Sequence, residues 1–208
     1  MRALVLLAGP LRPSPRLRQE AARAELVVAA DRGLVHAEAL GLRPDLWVGD
    51  FDSSPEDLRA RYPDLPREVH PRDKDATDAE LAVRAAIRRG ARALTLVGAF
   101  GGEADHVLAH HALALGLAEE GIEVALTDGV RWAWPVVPPG IRLDLPPGTP
   151  FSLIPFAPLE GVRLEGGRWR LGGEDLPLGT TRATRNVAVG PVRVELAAGR
   201  GVLVARLA

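Results

Sequence analysis

The chain predicts an α/β fold followed by an all-β segment: a mostly parallel, helix-covered sheet over residues 1–132, then short antiparallel strands over 133–208. Two observations carry this. In the first part, apolar β-type runs alternate with helical patterns, the order that builds a parallel sheet. Near Val130 the helical periodicity stops, and Pro and Gly punctuate short alternating runs, as in Pro138-Pro139-Gly140, Pro146-Pro147-Gly148 and Gly172-Gly173.

In chain order, strands are expected at Ala3–Ala8, Leu26–Ala30, Leu46–Val48, Glu68–His70, Ala93–Val97 and Glu123–Leu126. Those following Ala24, Arg43 and Ala91 read as buried on both faces, as parallel strands are. Helices are expected near Ser14–Ala24, Gly33–Leu40, Pro55–Ala60, Asp78–Arg89 and Asp105–Glu120. In the second part Ile141–Leu145, Phe151–Pro155, Val162–Glu165, Val192–Leu196 and Val202–Leu207 read as antiparallel strands, and Trp132 and Trp134 as strand packing.

The 208 residues suffice for one large or two small domains with a real core. The net charge of −1 supplies no basic field for nucleic acid or an anionic membrane, so neither partner is expected. The apolar run Met1–Gly9 is too short to span a bilayer and reads as a first strand rather than a signal peptide. With no cysteine, disulfides, thiolate metal sites and a Cys nucleophile are excluded, and a cytoplasmic protein is expected. Of the 26 basic residues only Lys74 is a lysine.

Three loops carry the chemistry. Gly49-Asp50-Phe51-Asp52-Ser53 follows an apolar strand, placing two carboxylates where open α/β sheets hold ligands. Such a pair suits Mg²⁺, which takes one or two carboxylates together with substrate phosphates. The second loop, Asp73-Lys74-Asp75-Ala76-Thr77-Asp78-Ala79-Glu80, has a partly structural account. Thr77 and Glu80 fit a capping box and Asp78 complements the helix dipole. Capping leaves Asp73, Lys74 and Asp75 unexplained; a metal-and-phosphate reading gives Asp78 to the cation and Lys74 to phosphate. The third, Gly98–His106, offers paired glycines, Gly101 and Gly102, before a helix start suited to anions. Asp105 there fits an N-cap and a substrate contact equally well. His106 and His110 share a helix face, but lacking a third ligand at standard spacing they read as helix surface.

Together these loops resemble the thiamine pyrophosphokinase family. The likeness rests on Ala30-Asp31-Arg32-Gly33, on a complete P-D-x-x-x-G-D-x-D-S run from Pro44 to Ser53, on Asp73–Asp78 and on Gly98–His106. Further on, Gly161-Val162, Trp169 and Asn186 stand where the family has a G-L pair, an aromatic and a terminal Asn. The chain departs from the family pattern at Glu103, where an Arg is usual, and at Ala183 before Thr184-Arg185-Asn186.

The resemblance implies a Rossmann-like amino-terminal α/β domain, a small carboxyl-terminal β-sandwich and a homodimer with substrate bound between subunits. It implies transfer of pyrophosphate from ATP to the hydroxyl of thiamine, giving thiamine diphosphate and AMP. Mg²⁺ is then expected on Asp50, Asp52 and Asp78, with Lys74 on the triphosphate and completing the catalytic set. Asp31, Ser53, Asp75, Thr77 and the Gly101-Gly102 backbone are expected to hold ATP. Asp105, Trp169, Thr184 and Asn186 are expected to contact thiamine. A pyrophosphokinase acting on another small alcohol such as a hydroxymethylpterin, a metal-dependent phosphohydrolase, and a non-catalytic nucleotide or thiamine diphosphate sensor are the alternatives.

Overall fold

A computed structural model describes residues 1–51, 56–73 and 75–207. Its frame is a parallel sheet ordered β6-β5-β1-β2-β3-β4, with β1 (Arg2–Leu6), β2 (Leu26–Ala30), β3 (Leu46–Gly49), β4 (Arg67–Val69), β5 (Ala93–Val97) and β6 (Glu123–Thr127). Side chains on its strands alternate between two cores. Leu4, Leu6, Val27, Ala29 and Trp47 face one; Ala3, Val5, Leu26, Val28, Leu46 and Val48 face the other. That two-sided burial is why these strands read as continuous apolar runs.

Helices cover both faces. α1 (Pro15–Ala21), α2 (His36–Leu40) and α3 (Glu56–Arg61) bury Leu17, Ala21, Ala37, Leu40 and Leu58 in the first core. α4 (Asp78–Arg88) and α5 (Ala104–Glu119) bury Ala82, Val83, Ala86, Ala114, Leu115 and Leu117 in the second. Two helix starts follow local chemistry: Ser14 Oγ accepts from the Leu17 N–H, and Thr77 Oγ1 accepts from the Glu80 N–H, as the capping signature predicts. Residues 33–35, expected within the second helix, instead belong to a 3₁₀ turn over Asp31–Val35 that leads into α2.

The sheet does not end at β6. β7 (Arg131–Val136) pairs antiparallel with β6 through Leu126/Ala133 and Thr127/Trp132, and along its whole length with β13 (Gly201–Arg206). β9 (Pro150–Pro155) follows on β13, and β12 (Asn186–Glu195) on β9. β12 then crosses to pair with β8 (Gly140–Leu143) and β10 (Leu159–Gly167), while β11 (Leu171–Leu176) edges β10. The result is one mixed sheet of 13 strands with helices on its parallel part. The expected change from α/β to all-β at 132/133 falls inside β7. The expected strands include β7 only through the strand packing of Trp132 and Trp134, without bounds, and do not include β11. β7 continues the β6 hairpin where no helical signal marks a start, and Gly172-Gly173 masks the alternation of β11.

The β6–β7 turn is fastened by Asp128. Its buried carboxylate accepts from the N–H groups of Val130 (2.9 Å) and Arg131 (2.6 Å) and from the Arg131 guanidinium (2.7 Å). Burial alone would raise its pKa, but these donors outweigh it and hold the group below the ordinary carboxylate value. Arg131 also stacks over Phe100, 5.2 Å from the ring centroid, tying the turn to the loop after β5. Replacing Asp128 by Ala leaves the two backbone N–H groups without their acceptor, and a loss of about 2–3 kcal/mol in urea unfolding is expected.

Candidate active site

The parallel strands deliver their C-terminal ends to one edge, and the strand order reverses between β1 and β5, the position at which open α/β sheets bind ligands. A cavity of about 480 Å³ opens there. Its walls come from the loop after β1 (Leu7–Gly9), from Asp31 and Arg32 after β2, and from Asp50 after β3. Arg72 and Ala76–Ala79 before and at the start of α4, the glycine loop after β5, and His106, Ala109 and His110 of α5 complete it.

Asp31, Asp50 and Asp78, all half-buried, each offer a carboxylate oxygen, and these oxygens lie within 4.8 Å of one another. Asp50 and Asp78 are two of the expected metal ligands. Asp31, expected to hold nucleotide, joins them. Asp52, Ser53 and Lys74 lie outside the described residues. An all-oxygen set of three carboxylates at this separation fits a hard divalent cation such as Mg²⁺.

The convergence has local causes. A Cβ built on Gly49 would sit 3.3 Å from Asp31 Cβ and 3.4 Å from Asp78 Oδ1, so the glycine of the acidic run leaves room for the two carboxylates to meet. On the far wall, Gly9 and Gly98 bring two loops backbone to backbone; a Cβ on Gly9 would lie 2.2 Å from the Gly98 carbonyl oxygen. Asp31 (φ 42°) and Phe51 (φ 63°) adopt left-handed backbone, a conformation worth about 1–3 kcal/mol of strain for a non-glycine residue. Trp47 stabilises both. Fully buried, it donates its indole N–H to the Asp31 carbonyl at 2.8 Å and meets the Phe51 ring edge-on at 4.6 Å. The Phe51 carbonyl accepts from Arg59 at 2.9 Å. Asp45, at the start of the same run, is structural: its carboxylate accepts the Val27 N–H at 2.8 Å and sets β3 beside β2. Trp47 had only an apolar role in the sequence reading, since an indole reaching a residue 16 positions earlier leaves no local trace.

Other expected residues are distributed as follows. Thr77, Gly101 and Gly102 line the cavity, with Thr77 also capping α4. Asp75 is exposed in the preceding loop and lines none of the cavity. Asp105 does not cap α5; Glu103 holds that position, and Asp105 Oδ1 accepts the His106 N–H in the exposed first turn. His106 and His110 both face the cavity, their ring centroids 6.5 Å apart. The Ala99 carbonyl accepts from His110 Nδ1 at 3.2 Å, which places the proton on Nδ1 and leaves Nε2 an acceptor. Arg32 and Arg72, which the reading gave no role, put two cations on the wall beside the acid cluster.

Trp169 and Asn186 form a second place, a cavity of about 250 Å³ that shares no lining residue with the first. Asn186 is buried; its amide donates to the Trp169 carbonyl (2.7 Å) and its oxygen accepts the Trp169 N–H (3.2 Å), so it holds Trp169 outward at 57 % exposure. Arg185 beside it is left-handed at φ 56°. The Thr184 hydroxyl closes its own turn onto the Thr181 carbonyl at 2.7 Å and does not line this cavity.

Residues 17–126 match the family profile described as "Thiamin pyrophosphokinase, catalytic domain". A thiamine pyrophosphokinase of Bacillus subtilis is 28 % identical over 188 residues, covering 88 % of this chain and 87 % of that protein. The crystal structure of thiamine pyrophosphokinase from Bacillus subtilis superposes with a TM-score of 0.87 at 24 % identity, over 99 % of each chain. That of the Geobacillus thermodenitrificans protein gives 0.85 at 25 % identity, over 100 % of this chain and 98 % of that one.

Two outcomes follow from the geometry. Trp47→Phe removes the hydrogen bond to Asp31 and shrinks a fully buried side chain, so a loss of about 2–3 kcal/mol is expected in denaturant titration, with weaker divalent-cation binding by calorimetry. His36 accepts no charge readily: burial, opposed by the carbonyls of Gly9 and Leu7, holds its pKa below the ordinary imidazole value. Burial does the same to His110, opposed by the Ala99 carbonyl and helped by His106 and His111. A lowered folded-state pKa means that the unfolded chain binds more protons, so stability is complete above about pH 6.5 and falls as pH drops through that value. The melting temperature should decline below it, less steeply for His110→Asn.

Proposed function

The chain belongs to the thiamin pyrophosphokinase family, and on that premise we propose that it transfers the β,γ-pyrophosphoryl group of ATP to the primary alcohol of thiamine, giving thiamine diphosphate and AMP. The observation that carries this reading is the meeting of Asp31, Asp50 and Asp78 at the mouth of a cavity large enough for a nucleotide.

In the proposed reaction the thiamine hydroxyl attacks the β-phosphorus in line, the bond to the α-phosphate oxygen breaks, and AMP leaves. No covalent nucleophile on the protein is needed; positioning and neutralisation of phosphate charge supply the acceleration. Asp31, Asp50 and Asp78, with Asp52 added from the acidic run, would hold Mg²⁺. Bound there, the cation would offset triphosphate charge and polarise the transferred group. Arg32 and Arg72 line the same space and, with Lys74, would supply cations to phosphate. The backbone of Gly101-Gly102, ahead of α5, offers N–H donors at a helix start.

Trp169 and Asn186 are read as the thiamine contact, the indole stacking on the pyrimidine. Because their cavity and the acid cluster's are separate in one chain, the pairing we favour is across a homodimer, with Trp169 supplied by the partner subunit. Residues 1–132 then act as a Rossmann-like catalytic unit. Residues 133–208 act as a β-sandwich for substrate and dimer contacts, supported by the crossing of β12 from β9 to β8 and β10. Among the described residues no helix is long and apolar enough to cross a membrane, and a cytoplasmic location is the reading we adopt.

AMP release from ATP and Mg²⁺, with and without thiamine, tests the assignment. Thiamine-dependent AMP with matching thiamine diphosphate is expected, reduced about a hundred- to a thousandfold in Asp50→Asn, with an unchanged circular dichroism spectrum. AMP formed with a hydroxymethylpterin but not with thiamine would move the acceptor. Phosphate released without an acceptor would make the protein a hydrolase, and ligand binding without turnover a sensor.

A further inference from the structure

Backbone carbonyls fix the protons of three imidazoles. The Gly9 carbonyl accepts from His36 Nε2 at 2.8 Å, the Val107 carbonyl from His111 Nδ1 at 2.7 Å, and the Ala99 carbonyl from His110 Nδ1 at 3.2 Å. His36 and His111 line none of the cavity at the acid cluster, and His111 is buried against Phe100 and Phe156. His110 does line it, half-buried. With Nδ1 committed to Ala99, its neutral ring offers Nε2 as an acceptor. Burial, the largest influence on this ring, lowers its pKa and keeps it neutral at pH 7 against the pull of the Ala99 carbonyl.

Position decides what that acceptor meets. His110 is tied to the loop after β5, whereas Asp31 and Asp50 follow β2 and β3, two and three strands away. At about 4.8 Å per strand spacing, the two ends of the cavity are on the order of 10–14 Å apart. Among the described residues no imidazole joins the three carboxylates within 4.8 Å. A metal-bound triphosphate at the acids therefore leaves His110 to the other end of the nucleotide. Between the two ends lie Ala8, Ala30, Ala76, Ala79 and Ala109, side chains small enough to leave a slot for a flat ring.

We propose that His110 is a specificity-determining residue for the nucleobase, its Nε2 accepting a hydrogen bond from the exocyclic amino group of adenine. The inference rests on the function proposed above, which puts a nucleotide in this cavity. A 6-amino purine donates to Nε2. A 6-oxo purine sets lone pair against lone pair in a half-buried place, and a buried acceptor without its donor costs more than the bond itself is worth. His110 thus selects ATP against nucleotides whose base carries a carbonyl at that position.

The test is calorimetric binding of ATP and of ITP, its 6-oxo counterpart, to the full chain at neutral pH with Mg²⁺ and without thiamine. ATP is expected to bind at least about tenfold more tightly than ITP. His110→Asn keeps a donor for the Ala99 carbonyl, its Nδ2 standing where Nδ1 stood, and leaves nothing at the Nε2 position. In that variant the advantage is expected to fall to within about threefold, through weaker ATP binding with ITP binding unchanged. Equal binding of the two nucleotides by the wild type, or an advantage that survives in His110→Asn, overturns the proposal; thiamine-dependent AMP release by the same preparation shows that the function stands without it. Equal loss of both nucleotides in the variant makes His110 a support for the loop after β5 and also overturns the proposal. A wild-type chain that binds neither nucleotide overturns the proposal and the function together.

Discussion

Like charge brought together is the constraint on which the rest of the structure depends. Three carboxylates from three separate segments place their oxygens within 4.8 Å. At an effective dielectric near 20, two ionised carboxylates at that separation repel by about 3.5 kcal/mol. That is a sizeable share of the roughly 5–15 kcal/mol by which a domain is stable. The scaffold must therefore hold the acids in place before a cation arrives. It does so with a buried indole on the Asp31 carbonyl, a glycine where any side chain would intrude, and a helix cap that fixes the first turn carrying Asp78. The left-handed backbone at Asp31 and Phe51 is the local cost of the arrangement, and Trp47 touches both residues.

The second half of the chain answers a different need. Among the described residues the acid cluster and glycine loop present negative charge and N–H donors, suited to metal and phosphate, but no exposed Phe, Tyr or Trp. Such a side chain stands on the antiparallel strands, where Asn186 turns Trp169 outward by grasping its main chain on both sides. The same device gives the terminal Asn of the sequence pattern an orienting part: its side chain holds Trp169 and the Val187 N–H while it lines the cavity.

Much of this was legible in the linear chain, for physical reasons. Two-sided burial writes itself as unbroken apolar runs, so Leu26–Ala30 and Ala93–Val97 are found where the pattern puts them. Capping is local, so Thr77 could be placed on a helix start before any coordinates. The acidic run was readable because its carboxylates and its glycine share one turn. What escaped depends on contacts between distant segments. Asp31 joins Asp50 and Asp78 only because β2 lies between β1 and β3, and Trp47 reaches Asp31 only across that same register. Arg32 and Arg72 reach one cavity from different loops, with nothing in either neighbourhood to mark them. A strand with paired glycines, such as β11, has too few side chains to show alternation.

The pairing of β7 with both β6 and β13 has a mechanical meaning. Proteins that close over nucleotides by swinging one half against the other rely on a slack connector whose few torsions absorb the motion. Here the connector is itself a central rung of the sheet, hydrogen-bonded on both edges and backed by the Asp128 turn. Bending at that point would tear a ladder rather than relax a loop. The two halves thus behave as one stiff beam, and adaptation to ligand is left to the loops at its edge and to side-chain rotation.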